Sequence, residues 1–414
     1  MKRIFPFFLL CLSALPAAAQ IALDDYRRDV EEYSRLLRMA AARTEAAVQT
    51  AERARTDFLP RLSLDGSFAV AARRTDGVER WTFGVLPQIV QTLYGGGVRA
   101  EYRRARLGTD AARSDEAFTR LDVRYAADYA YWNLSSLEAF AAARREYVEI
   151  IRSLKRIIDR RFAEGYIAKG DVLMIDARLS EAEYALESVE RSRDLAIHNF
   201  NTLRGAPADA PVVLAQSIRD SVPDLRRAGD TLALARRPDY AAALSRADYA
   251  AEGVNVARAA YDPHVSVGAG GSWQPRSPNR TGATVVDGTL FVKVSVPLFH
   301  WGERRRAVGA ARAAADESAW SAAQLRDDIV REESDGWTAV VVSAAQVEAS
   351  RESLRIAGEN LDLSTYSYGE GMATILDVLQ AQLNWIQLYT NSIQAHCDRA
   401  LARAGYLRIT AQEL

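Results

Sequence analysis

Hydrophobic and polar residues alternate in four short stretches of the chain. The stretches are residues 62–70, 81–89, 265–273 and 290–298. An alternation with a period of two predicts β-strands whose two faces differ in polarity. Each stretch is about nine to eleven residues long, which is the length that a tilted strand needs to cross a membrane. We therefore predict strands that contact lipid on one face; the alternative is a small soluble β-domain with one face on a core.

Two long stretches without proline lie between and after these strands. One separates Pro87 from Pro207 and the other follows Pro297, and both are rich in Ala, Arg, Glu and Leu. These residues favour α-helix, which proline would interrupt. Apolar residues in the later part of each stretch recur at spacings of three and four, which predicts coiled-coil packing of antiparallel helical hairpins. The predicted helices span residues 24–57, 98–164, 171–204, 239–260, 303–370 and 372–405.

The chain is internally duplicated, because three landmarks recur at offsets of 203 to 206 residues. In chain order, the landmarks and their counterparts are Pro60 with Pro263, Gly97 with Gly302, and Gly165 with Gly371. A repeated order of strands and long helices predicts a mainly α fold with β-strands. We expect a first repeat over residues 20–205, a proline-rich connector over 206–237 and a second repeat over 238–414.

The first residues have the features of a secretory signal peptide. Lys2 and Arg3 precede an apolar run over residues 4–15, and Ala17, Ala18 and Ala19 form a small-residue cleavage site before Gln20. This pattern predicts a signal peptide over residues 1–19. No later run of 18 consecutive apolar residues predicts a transmembrane helix. We expect the mature chain to be periplasmic, secreted or an outer-membrane β-barrel.

Composition excludes several classes of function. The chain has 53 Lys and Arg against 54 Asp and Glu, so no excess of positive charge predicts a nucleic-acid partner. Two cysteines and four scattered histidines predict neither a disulfide framework nor a metal site. The glycine-rich residues 268–271 lie in a predicted strand and lack the following helix of a nucleotide site. With no recognisable catalytic motif, we predict a protein that is not an enzyme and has no cofactor.

Four strands are too few to close a barrel, and open strand edges are not tolerated in lipid. If the predicted strands span a membrane, several copies of the chain must share one barrel. Three copies would supply twelve strands. Twelve exceeds the roughly eight strands whose interior is filled by side chains, so such a barrel would enclose a channel.

The junction over residues 296–302, the turn over residues 371–379 and their counterparts in the first repeat resemble the TolC family of outer-membrane efflux ducts. The resemblance implies a homotrimer in which four transmembrane strands per protomer complete a 12-stranded barrel in outer-membrane lipid. It also implies a long helical tunnel in the periplasm. Such a duct passively conducts substrates of a tripartite efflux or type I secretion system, and its partners are a periplasmic adaptor protein and an inner-membrane transporter.

The resemblance also implies roles for residues at the hairpin tips. Asp377, present three times around the axis of a trimer, matches an acidic ring at the channel constriction, and Gln380 occupies the neighbouring acidic position. Three carboxylates at close range favour cations and raise one another's pKa. Asp171 and Tyr368 match positions that link the hairpins and hold the tip shut, although the usual Arg partner corresponds to Ala373.

Gly165 and Gly371 match the turn glycines that adaptors recognise, and glycine also suits a helix end that requires a positive φ. The aspartates have a structural interpretation of equal weight, because an Asp at the start of a helix, such as Asp171 or Asp377, is commonly an N-cap.

Three tryptophans are candidates for an aromatic belt at the membrane interface, with ordinary packing as the alternative. They are Trp81, Trp273 and Trp301. For the whole chain, the alternative function is a periplasmic coiled-coil adaptor or scaffold. Two hairpins that alternate with membrane-length strands favour the duct over that alternative.

Overall fold

The structure, a computed structural model, describes residues 20–70, 81–220, 222–274 and 285–412. The predicted signal peptide lies outside the described residues. The described part contains eight α-helices and four β-strands. In chain order they are α1 (Leu23–Tyr33), α2 (Arg35–Thr56), β1 (Arg61–Val70), β2 (Trp81–Tyr94), α3 (Val98–Ala163), α4 (Lys169–Leu203), α5 (Asp230–Arg236), α6 (Pro238–Ala259), β3 (His264–Gln274), β4 (Val285–Ser295), α7 (Glu303–Gly369) and α8 (Ile375–Ile409).

The repeated order of strands and long helices agrees with the prediction, and several helix boundaries differ from it by a few residues. Ser34 separates α1 from α2, where one helix was expected, because its hydroxyl accepts a hydrogen bond from the backbone N–H of Leu37 at 3.3 Å. A serine in that position caps the start of a new helix. The start of α8 is also later than predicted, because Thr374 forms the N-cap of that helix. None of the helices in the described part combines the length and apolar character needed to cross a bilayer.

The four strands form one antiparallel sheet in the order β1-β2-β3-β4. Leu62 of β1 lies opposite Ile89 of β2, Ile89 lies opposite Ala269 of β3, and Ala269 lies opposite Leu290 of β4. Residues that face each other across adjacent strands point to the same side of a sheet, so the register places the apolar positions of all four strands on one face.

The chain divides into two compact units. Among the described residues, the first unit contains those up to Leu37, Arg120–Arg236 and Ile329–Leu414. The second unit contains Arg38–Thr119 and Arg237–Asp328, and therefore the whole sheet. Each unit draws on both halves of the sequence, so a repeat of the sequence does not correspond to a compact unit of the fold.

The core of the first unit is a helical seam with small and branched side chains. Ile151, Ile158 and Ile175 are fully buried there, together with Val378 and Ile393. They come from α3, α4 and α8, as expected for helical hairpins whose apolar residues recur every three or four positions and pack against each other. A second cluster holds α1 in place, where the ring of Tyr26 stacks on that of Phe200 at a centroid distance of 3.8 Å.

A buried carboxylate fastens the connector to the long helices of the first unit. The side chain of Glu333 on α7 is fully buried, and the guanidinium of Arg227 donates to both of its oxygens at 3.1 and 2.7 Å. The hydroxyl of Tyr406 and the backbone N–H of Gly229 also donate to Glu333. These hydrogen bonds, chiefly those from Arg227, hold the pKa of Glu333 below its usual value.

We expect Glu333→Gln to lower the free energy of unfolding at pH 7 by about 2 kcal/mol, because hydrogen bonds to a charged group are lost in a buried place. A carboxyl whose pKa is lowered on folding stabilises the protein above its unfolded pKa, which is about 4.5. That stabilisation is lost as the pH falls through the folded pKa.

Thermal unfolding followed by helical circular dichroism at pH 7 and pH 4 measures both effects. The difference between wild type and variant should shrink at pH 4. Glu348→Gln is the control, because Glu348 forms an exposed pair with Arg351, which contributes little to stability. An equal loss in both variants would contradict the role assigned to Glu333.

Candidate functional site

One face of the sheet is apolar and exposed along its whole length. Leu62 is 79 % exposed and Leu290 is 86 % exposed. The remaining large apolar residues of β1 and β4 on this face are also exposed, and they are Leu64, Phe68, Val70, Val286, Val292 and Val294. A soluble β-domain would place such a face on a core. Within the described residues nothing covers it, so an apolar surrounding is required.

The opposite face of the sheet is mostly polar. Ser63, Asp65 and Ser67 of β1 point to this side, and the side-chain amide of Gln88 on β2 donates to Asp65 at 3.1 Å. The two faces therefore require different surroundings, apolar on one side and aqueous on the other. This is the polarity that the alternation of the sequence predicts.

The outer strands β1 and β4 each have an edge with no partner strand in the described part of the chain. Every residue of β1 is exposed. An open edge presents unpaired backbone N–H and C=O groups, which in hydrocarbon would cost several kcal/mol each, on the order of the penalty for burying an amide without a partner. The sheet is therefore incomplete as a membrane structure in a single copy.

The candidate interfacial tryptophans lie at two different levels of the sheet. Trp273, near the end of β3, packs its ring edge to face with Phe83 at 6.0 Å on the apolar face. Trp81 begins β2 at the same end of the sheet, and its side chain lies outside the described residues. Trp301 follows β4 at the other end, where it is 88 % exposed and its ring is 4.8 Å from that of Phe299.

The backbone of Trp301 has a φ of 48°, which is unusual for a bulky residue. Its counterpart in the first repeat is Gly96, which has a φ of 68°. The same left-handed turn therefore joins strand to helix in both repeats, with glycine in one and tryptophan in the other. A left-handed backbone costs a non-glycine residue about 1–2 kcal/mol, so the exposed indole is retained at a local cost in stability.

Asp377 lies at the start of α8, but it is not the N-cap that one interpretation of the sequence proposed. Thr374 is the N-cap, and Asp377 occupies the third position of a capping box. The Asp377 carboxylate accepts hydrogen bonds from the backbone N–H of Thr374 at 2.8 Å and from its hydroxyl at 2.7 Å. These bonds hold the pKa of Asp377 below its usual value. Gln380 lies one turn further on and is exposed.

Asp171 is not an N-cap either. Helix α4 begins at Lys169 after Ala168, which has no side chain for capping, so Asp171 lies within the first turn. Its carboxylate has no hydrogen-bond partner among the described residues, and it makes no bond to Tyr368 within the protomer. Among the described residues of one copy, Asp171 therefore makes no link between the two hairpins.

Tyr368 instead contacts an arginine that the sequence analysis missed. The guanidinium of Arg161, in the last turn of α3, lies over the ring of Tyr368 at 4.9 Å. The same guanidinium donates to the backbone oxygens of Tyr368 at 3.2 Å and of Gly369 at 2.7 Å. Arg161 thus joins the end of the first hairpin to the end of the second. The only signal in the sequence is a basic pair, Arg160 and Arg161, just before a glycine turn.

Both turn glycines have a positive φ, 81° at Gly165 and 76° at Gly371. A Cβ added to either residue would meet no atom within 4 Å, so the backbone conformation and not space requires glycine. The residues that follow them, Tyr166 and Met372, are large, apolar and exposed. Each hairpin tip therefore presents a glycine turn beside an uncovered apolar side chain.

Comparison with known proteins shows what this chain is similar to. The family model described as "Outer membrane efflux protein" matches residues 27–206 and 231–408. The outer membrane efflux protein BepC of Brucella suis is 22% identical over 370 residues, which are 87% of this chain and 80% of BepC. The pyoverdine export outer membrane protein OpmQ of Pseudomonas aeruginosa is 23% identical over 339 residues, 81% of this chain and 70% of OpmQ.

The fold is also that of a solved structure. The outer membrane protein VceC of Vibrio cholerae superposes with a TM-score of 0.80 at 21% identity, over 94% of this chain and 95% of that chain. An agreement over nearly the full length of both chains confirms the predicted fold class. The family match covers both repeats, and it leaves out most of the connector.

We expect Gly371→Ala and Gly165→Ala each to lower the free energy of unfolding by about 1 kcal/mol, because alanine is strained at a positive φ. Gly358→Ala is the matched control, since Gly358 lies within α7 and a Cβ there also meets nothing within 4 Å. That control should stabilise the protein by about 0.5 kcal/mol, because glycine is unfavourable inside a helix. Thermal unfolding of the three variants is the measurement, and stabilisation at Gly371 would refute the backbone argument.

Proposed function

This chain belongs to the outer membrane efflux protein family, and from that premise we propose that three copies form the exit duct of a tripartite efflux or type I secretion system. The duct receives substrates from a periplasmic adaptor protein and an inner-membrane transporter and conducts them passively to the exterior. The observation that carries the proposal is the sheet in the second unit, which has one apolar face, one polar face and two open edges.

Three sheets joined edge to edge, β1 of one copy to β4 of the next, give a closed barrel of twelve strands. Closure pairs the backbone groups that a single copy leaves open. The apolar face then contacts outer-membrane lipid and the polar face lines an aqueous channel. Trp81 and Trp273 at one end of the strands, and Trp301 at the other, serve as the aromatic anchors at the two interfaces of the membrane.

At the inner end of the duct, Asp377 forms the acidic ring of the constriction, and Gln380 lies beside it. The capping hydrogen bonds of Asp377 lower its pKa and favour the ionised form. This effect opposes the rise in pKa that the mutual repulsion of three carboxylates causes. The ring therefore stays charged near neutral pH and favours cations over anions. Gln380 adds a polar but neutral side chain, which leaves one charge per protomer at these two positions.

The tip is held shut by a latch that includes Tyr368, as expected, and Arg161, which fastens Tyr368 to the first hairpin. Asp171 has a free carboxylate within the protomer, which suits a contact with a neighbouring copy in the trimer. The turns at Gly165 and Gly371 are the docking points of the adaptor. Their support is the left-handed backbone, which most residues other than glycine adopt only at a cost in stability, next to exposed apolar side chains.

Cysteine pairs across the open edges test the trimer. The variants are made in a Cys397→Ser background. Each combines Ser67→Cys on β1 with Thr289→Cys, Leu290→Cys or Phe291→Cys on β4. After oxidation, at least one combination should give disulfide-linked trimers. The control combines Ser67→Cys with Gln88→Cys, where β2 is an inner strand and no link between copies can form. Recovery of a soluble monomer with no links in any combination would contradict the proposed function.

The latch is tested by Arg161→Ala in trimers inserted into planar bilayers. We expect the open probability of the channel to rise roughly tenfold, because about 1.4 kcal/mol of lost closed-state stabilisation shifts an equilibrium tenfold. Arg160→Ala is the matched control, since Arg160 is the exposed neighbour of Arg161 with the same charge. If both variants conduct alike, Arg161 does not hold the tip.

A further inference from the structure

A cavity of about 530 Å³ lies in the second unit, where the strands meet the helices. It is formed by the end of β2, the start of α3 and the end of α6. Three arginines line it, Arg99, Arg103 and Arg258, together with two aspartates, Asp57 and Asp262. The latch, the constriction and the docking turns make no use of this cavity.

The charges around the cavity do not balance. Asp57 pairs with Arg61, and Asp262 pairs with Arg304 at 3.4 Å, and both of these arginines lie outside the cavity lining. Arg103 pairs with Glu252 at 3.1 Å.

Of the charged residues that line the cavity, Arg99 and Arg258 remain to be considered. Both are exposed, and neither has an ion-pair partner in the part of the chain that the structure describes. Two uncompensated positive charges therefore face one cavity, which favours an anionic ligand. At the equivalent junction of the second repeat, the counterpart of Arg99 is Arg304, which pairs with Asp262.

One wall of the cavity is apolar. Leu93 lies at an irregularity in the pairing of β2 with β3, and it is exposed at the cavity, as is Phe58 before β1. Among the described residues, the helices join the sheet at this end, and the first turn of α7 contains Arg304, Arg305 and Arg306, which are exposed. If the sheet spans a membrane, the cavity lies where the strands leave the hydrocarbon on the helical side.

We propose that this cavity binds the phosphate of a glycerophospholipid from the periplasmic leaflet of the outer membrane. Guanidinium groups match phosphate oxygens in geometry as well as in charge, and basic pockets beside membrane-spanning segments bind lipid headgroups. Arg99 and Arg258 contact the phosphate, and Leu93 and Phe58 contact the first part of the acyl chains. The inference rests on the proposed function, since it needs the sheet to lie in a membrane.

Native mass spectrometry of the delipidated trimer, titrated with dioleoylphosphatidylglycerol, tests the proposal. We expect one lipid per protomer. In Arg99→Gln/Arg258→Gln the dissociation constant should rise about thirtyfold, because each basic residue at an anionic membrane surface contributes about a factor of five. The matched control is Arg305→Gln/Arg306→Gln, which removes the same charge from exposed residues at the same end of the sheet and outside the cavity.

Two further ligands identify the source of the phosphate. Dioleoylglycerol, which lacks phosphate, and inorganic phosphate, which lacks acyl chains, should each bind much more weakly than the lipid. Equal binding of either one, or an equal loss of affinity in the control variant, would overturn the proposal. The thiol of Asn255→Cys, made in the Cys397→Ser background, should react with a maleimide in the delipidated trimer. A thiol that does not react would also overturn the proposal, because a second copy of the chain would then cover the cavity.

The same samples separate this proposal from the proposed function. A trimer that conducts in bilayers but binds no phosphatidylglycerol would refute only the lipid site. A chain that forms no trimer would refute the exit duct, whatever it binds.

Discussion

The structure depends on the need to pair every backbone N–H and C=O group that enters hydrocarbon. A sheet of four strands meets this need between β1 and β4 and fails at its two outer edges. Its apolar face stays exposed because no element of the described chain packs against it. One requirement thus links the alternation of residues in the strands, the openness of the sheet and the proposed assembly of several copies. The long helices have no such deficit, because an α-helix satisfies its own backbone.

The two repeats share a backbone plan but differ in side-chain chemistry at equivalent positions. Trp301 occupies the left-handed position that Gly96 holds in the first repeat. Thr374 caps α8, whereas its counterpart Ala168 leaves α4 without a side-chain cap. The two repeats therefore have the same turns but different side-chain chemistry at those turns. The second repeat carries the exposed indole and the capped acidic residue, and the cavity with unpaired arginines is formed by residues of both repeats.

Most of the fold could be predicted from the sequence, because period-two alternation and proline-free helical stretches are local patterns. The break at Ser34 was missed because serine is tolerated inside helices, and only the bond to Leu37 marks it as a cap. The N-cap interpretation failed at Asp171 and Asp377 because helix starts shift by a few residues with the capping group. Arg161 was missed for a different reason: its contact with Tyr368 joins residues about 200 positions apart, and a single sequence carries no record of such a contact.

The amino end of the described chain is held by residues that are synthesised much later. The N–H of Ile21 donates to the carbonyl of Val213 at 2.8 Å, and the carbonyl of Ile21 accepts from Ala215 at 3.0 Å. The hydroxyl of Tyr131 binds the same carbonyl. Contacts so distant along the chain form slowly, because a long loop must close first. The segment at Ile21 therefore stays undocked until about half of the polypeptide has been synthesised.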